Sequence, residues 1–315
     1  MGGIYACNYN PLMARSFDAE LAALEALGSR PPAETEAPLR KSLTHANNFI
    51  VAKAAKLAQQ HDHRSLTPEL VATFHRFLIN GAKTDPQCWA KIAIAKALAN
   101  FEYQESELFL TGMATHQLEG SWGGTTDTAG GLRGLCALAL VQCRGLSNTA
   151  VLTHLLPLFT DKDIPVQVNA ARAVEQIGTD AAMLLLRLRA ELASGEAELL
   201  GACYSGVLHL EGPSAIPWAA KFLHPLKPDD ASSEAAFAIA DTRTEAAFIQ
   251  LRATWKETRD PDFRGTLLTA IALTRQDAAY EFLLDEIKDG SRTAREALEN
   301  SAPPQEILNR LRAIG

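Results

Sequence analysis

Apolar residues recur along this chain at spacings of three and four, and almost nowhere in alternation. That is the signature of helices buried along one stripe, and strand signals are nearly absent. DIPVQVNAARAVEQIG is the clearest case, with Val166, Ala170, Val174 and Ile177 on one stripe and Ala173 beside it. Pro165 suits a first helical turn, and Gly178 a helix end. Thr179 can cap a second helix immediately after, AAMLLLRLRAELA. Two helices joined by so few residues form an antiparallel hairpin. Leu185 is taken as a central, buried position of that second helix.

The pattern repeats. Anchored on Ala171, comparable alanine- or leucine-rich helices fall at Ala55, Ala95, Ala137, Tyr204, Ala236, Leu268 and Arg295. The period is 32 to 34 residues across the centre, with longer units before it. A fixed period of this size marks an array of two-helix units, each burying its stripe by stacking on the next.

These residues carry a resemblance. LLPLFTDKDIPVQVNAARAVEQIGTDAAMLLLRL resembles a HEAT repeat, with its Asp-x-x-Pro-Val turn, paired alanines and closing Ile-Gly. Gln167 stands where that repeat carries Arg, although Arg264 keeps the place in a later unit. The segments DPQCWAKIAIAKAL and SWGGTTDTAGGLRGLCALAL are similar to ones in bacterial HEAT-repeat proteins, and the repeat is shared with phycobilisome-lyase-type chains. The resemblance implies an all-α fold, a right-handed α-solenoid of about seven to eight two-helix repeats with no sheet. One domain is expected over 1–315, with an irregular segment over 1–15 and, between the helical patterns, an inter-repeat insertion over 116–131. The resemblance implies nothing specific about chemistry, because this architecture hosts many functions.

The net charge of −7 argues against a protein that coats nucleic acid. No basic-then-apolar leader opens the sequence and no apolar run reaches membrane length, so a cytoplasmic protein without membrane contact is expected. Five cysteines without Cys-x-x-Cys spacing read as reduced core residues. No GxSxG, HExxH, phosphate-binding loop or dinucleotide fingerprint is present. No catalytic residue, cofactor or metal is therefore assigned, with His61 and His63 in QQHDHRS read as a solvated loop.

Two features carry candidate chemistry. The first is charge: Arg40–Asn100 holds nine Lys/Arg against three acids, and Phe101–Gln250 nine against eighteen. Lys53, Lys56, Lys91, Lys96, Arg133 and Arg172 all fall in second helices of their repeats, which in HEAT-like solenoids line the concave face. They are read either as solvated helix surface or as a basic trough for an acidic protein partner. The second feature is Trp122 among glycines, with Asp127 and Arg133 near it. It either folds back as a plug, with Asp127 or Thr128 capping the next helix, or forms a binding loop.

Three functions follow as expectations. The first is a non-enzymatic protein-binding scaffold. The second is a nucleic-acid-directed protein resembling HEAT-like DNA-alkylation-repair glycosylases, with Trp89, Trp122, Asp127 and Arg133 near a flipped base. The third is an assistant to chromophore or cofactor attachment.

Overall fold

The structure, a computed structural model, describes residues 11–192 and 196–314. It is an all-α chain of stacked helix pairs, and it divides into two compact units, Met1–Ser147 and Asn148–Gly315. In the first unit the helices Pro11–Ala26, Asn48–Gln60, Trp89–Asn100 and Gly130–Leu140 pack one upon the next as a layer. Pro32–Leu43, Thr67–Leu78 and Ser106–Met113 form a second layer against them. In the second unit Ile164–Ile177, Ala197–Glu211, Asp230–Asp241, Pro261–Leu273 and Arg292–Asn300 form such a layer, backed by Asp180–Glu191, Glu245–Glu257 and Asp277–Lys288.

The anchors deduced from the period all fall in the first layer of their unit. Ala55, Ala95, Ala137, Ala171, Tyr204, Ala236 and Leu268 are buried, and only Arg295, near the end of the array, is half-exposed. Small residues dominate these helices because each is sandwiched between two neighbours, and a short side chain lets the backbones approach. Starts and stops follow local chemistry. The Asn47 side chain accepts from the N–H groups of Phe49 and Ile50, Asp229 and Ser232 form a reciprocal capping box, and Thr179, Thr244 and Asp260 cap their own helices. Gly178 ends Ile164–Ile177 at φ +68°, where a side chain would be strained.

Four expectations are corrected. The helix Pro11–Ala26 begins inside the segment expected to be irregular, so residues 11–15 are helical; residues 1–10 lie outside the described residues. A small sheet is present: Leu118–Ser121 (β1) and Gly124–Asp127 (β2) pair antiparallel inside the 116–131 insertion. Its strands, LEGS and GTTD, are short and show no alternation of apolar and polar residues, so periodicity does not reveal them. Leu185 is half-buried, and the fully buried position is Leu186, one residue on. His63 is not solvated: it is buried, and its Nε2 lies 2.7 Å from Thr35 Oγ1.

Candidate binding groove and its hairpin

The helices Asn48–Gln60 and Trp89–Asn100 are related by a shift of forty residues, and the shift preserves burial position by position. Equivalent residues are therefore neighbours across the stack. Phe49 meets Trp89 edge-on, with ring centroids 5.6 Å apart, and Phe17 packs on the other side of Phe49 at 6.1 Å. Lys56 has Lys96 as its counterpart one repeat later. Between the two helices runs a groove of about 650 Å³ with an aromatic end at Phe49 and Trp89. Ala52, Lys53, Ile92 and Ala93 line its middle, and Lys56 and Lys96 line it further along with Gln59, Gln60 and Asn100.

No carboxylate lines this groove among the described residues. Lys53 is held by Glu25 at 3.1 Å, from the neighbouring helix Pro11–Ala26. Lys56 and Lys96 are exposed and make no ion pair among the described residues. Trp89 is half exposed although it is one of the largest apolar side chains of the chain. Three of the four lysines expected to form a trough thus share one surface, and they share it with two aromatic rings.

Lys91 does not. It is fully buried, at the position where the previous repeat carries the core residue Val51. Its ammonium donates to Asp85 Oδ2 at 3.0 Å, Gln117 Oε1 at 2.9 Å and the Phe77 carbonyl at 3.2 Å. Three donors meet three acceptors, which is what allows a charge to remain in the core. Asp85 is equally buried. Its Oδ1 accepts from Asn48 Nδ2 and the Ala90 N–H, and its Oδ2 also takes the Lys91 N–H. One carboxylate therefore ties the first turns of both groove helices together. A Cβ at Gly81 would strike Gln117 Oε1, so a side chain there would displace the amide that Lys91 donates to.

The hairpin is built on the same hub. Gln117, immediately before β1, donates from Nε2 to the Asp85 carbonyl and to Glu119 Oε1. Glu119 Oε1 also accepts from Thr128 Oγ1 and the Gln87 N–H, while Oε2 accepts from Gln87 Nε2. Burial works against the Glu119 charge, but these hydrogen bonds from Thr128, Gln117 and Gln87 outweigh it and hold the carboxyl below its ordinary pKa. They also fix Gln87 and Cys88, two successive residues in the left-handed region at φ +62° and +55°, directly before Trp89. Such backbone is costly and persists where the surroundings over-determine it.

Asp127 and Arg133 are structural partners. Arg133 is buried and donates to Asp127 Oδ2 at 2.8 Å and to the Thr115 carbonyl. Asp127 further accepts from His116 and from the N–H groups of Gln117 and Ala129. Burial opposes its charge, yet this ring of donors holds its carboxyl far below the usual range. Neither residue is free to meet a ligand, so both leave the candidate set. Trp122 is the opposite case: it does not plug a groove but stands fully exposed at the tip of the two-residue turn, beside Gly123 at φ +88°. Arg172 is exposed and belongs to the second unit.

Cys88, Cys136, Cys143 and Cys203 are buried free thiols, and burial pushes Cys203 up to about 12; Cys7 lies outside the described residues. Among the described residues no three His, Cys, Asp or Glu side chains cluster as a metal site, and no helix is long and apolar enough to cross a membrane.

No family model matches the chain, and no curated protein matches it. Among solved structures it is similar to human deoxyhypusine hydroxylase in complex with glycerol, at 17% identity and a TM-score of 0.29, over 96% of this chain and 92% of that one. It is similar to an engineered protein at 16% identity and a TM-score of 0.32, over 93% and 87%. Likeness at this level assigns neither family nor activity.

Sequence spacing placed Lys53, Lys56 and Lys96 together but missed Phe49 and Trp89 as their companions. The missed signal was the forty-residue shift itself, which sets one aromatic over another at the head of both helices.

Proposed function

We propose that this chain is a non-enzymatic binding module whose first unit holds an acidic segment of a partner protein between Asn48–Gln60 and Trp89–Asn100. One observation carries the reading: exposed lysines and exposed aromatic rings share a groove that no carboxylate lines among the described residues. Lysines so placed draw an anionic partner from a distance and speed its encounter. Half-exposed Trp89 and Phe49 supply apolar area of the kind that dominates interface energetics. The glycosylase-like alternative finds no support in the geometry, because Asp127 and Arg133 neutralise one another and Trp122 and Trp89 are set on different elements.

The test is binding of a fluorescent glutamate-rich peptide, followed by anisotropy at low and at near-physiological salt. Binding is expected to weaken with salt and to be lost in Lys56→Glu/Lys96→Glu, whose melting temperature stays that of the parent. Full binding by that variant overturns the proposal.

A further inference from the structure

We infer that the segment held in this groove is extended and carries an apolar side chain three residues away from an acidic one, the apolar end lying over Phe49 and Trp89. This rests on the acidic-segment reading and adds the ligand's spacing, conformation and direction.

The lining residues are ordered along the helices. Phe49 and Trp89 come at the amino-terminal ends, Lys56 and Lys96 each seven residues later, and Gln60 and Asn100 last, with Gln59 just before. Seven residues of helix advance about 10 Å. An extended chain covers that distance in three residues, at about 3.3 Å each. The full lining from Phe49 to Gln60 is about 16 Å long by the same rise, which is room for about five extended residues. A carboxylate three positions from an apolar anchor then reaches the Lys56 and Lys96 ammonium groups while the anchor rests on the rings.

The groove also favours an extended over a helical ligand. Gln59 and Asn100 offer amide donors and acceptors at its far end, and Lys53 adds a donor at its middle. An extended segment presents unpaired backbone N–H and C=O groups to such side chains, whereas a helix has spent its own. The aromatic end is pre-organised, because Phe49 already packs against both Phe17 and Trp89. A ligand side chain arriving there orders little that is loose.

Three labelled peptides with blocked ends and identical composition decide the matter. Each has one leucine and one glutamate among serines, placed adjacent, three apart or seven apart. The three-apart peptide is expected to bind the full-length protein at least tenfold more tightly than the adjacent one. Trp89→Leu should shrink that preference, and Trp89→Ala should abolish it. Equal binding of all three, still sensitive to Lys56→Glu/Lys96→Glu, overturns the spacing and leaves the acidic-segment reading standing. Preference for the seven-apart peptide, which a helix would present on one face, overturns the extended conformation. Absence of binding by these peptides and by the glutamate-rich peptide alike overturns both.

Discussion

Lys91 stands where Val51 stands one repeat earlier, and both side chains are fully buried. An ammonium has thus replaced a core methyl pair, and Asp85, six residues upstream, neutralises it. Removing one partner of such a pair leaves an uncompensated charge in the core. Lys91→Ala should therefore destabilise the protein by about 3–5 kcal/mol in equilibrium urea unfolding. The double variant Lys91→Met/Asp85→Asn should recover part of that loss. A double variant no more stable than Lys91→Ala would mean that hydrogen bonding by the Asp85 carboxylate, rather than its charge, dominates.

The hairpin separates contact from stability. Trp122→Ala removes a side chain that touches solvent alone, and its unfolding free energy should stay within about 0.5 kcal/mol of the parent. Arg133→Ala removes charge-assisted hydrogen bonds worth about 1.5–3 kcal/mol. The Asp127 carboxyl is depressed in the folded state, so its stabilisation is full above the unfolded value of about 3.9 and fades as pH falls through the folded one. Acid unfolding followed by circular dichroism should show a shallower loss below that pH in Asp127→Asn.

His209 links three helices that are neighbours in one layer of the second unit, Ile164–Ile177, Ala197–Glu211 and Asp230–Asp241. Its Nδ1 lies 2.6 Å from Glu175 Oε1 and its Nε2 3.2 Å from Asp241 Oδ2. The Glu175 hydrogen bond is the main cause of its raised pKa, with Asp241 assisting against burial. A raised folded value means stabilisation that is complete below about pH 6.5 and is lost as pH climbs through the folded value above it. The melting temperature should fall modestly over that upper window, the pair being half exposed and solvent-screened. In His209→Gln the fall should be missing.

Leu186, buried against Gly206 of the next helix, is a core position of the second unit. Leu186→Ala should cost about 2–5 kcal/mol. Leu185→Ala, at a half-buried position, should cost clearly less. Reversal of that order in urea unfolding would place the helix one residue out of phase.

The repeat was legible because alanines at Ala55, Ala95, Ala137 and Ala171 mark helices squeezed between neighbours, a constraint that spacing alone reveals. The face of each lysine was less so. Periodicity assigns a charged residue to the solvent by default, and Lys91 escapes that rule only through Asp85, Gln117 and the Phe77 carbonyl, which converge from three separate segments. The pairing of Asp127 with Arg133 was within reach of sequence reasoning, since both lie at the mouth of one helix. What the sequence withheld was that the pairing is complete, leaving neither for a ligand. The strands were legible in hindsight from Gly123 and Gly124 followed by Thr125 and Thr126, a turn and then β-branched residues.

Because the turn at Trp122 and Gly123 is carried on strands clamped at their base by Glu119 and Asp127, the tip can be lengthened without disturbing the clamp. A reporter peptide or small tag grafted between Gly123 and Gly124 would ride outward on a stiff stalk, and exposed tips of this kind are where chains accept insertions. The same graft a few residues earlier, between His116 and Glu119, would cut the cord that holds Gln87 and Cys88 in their left-handed shape and let the head of the helix Trp89–Asn100 slacken.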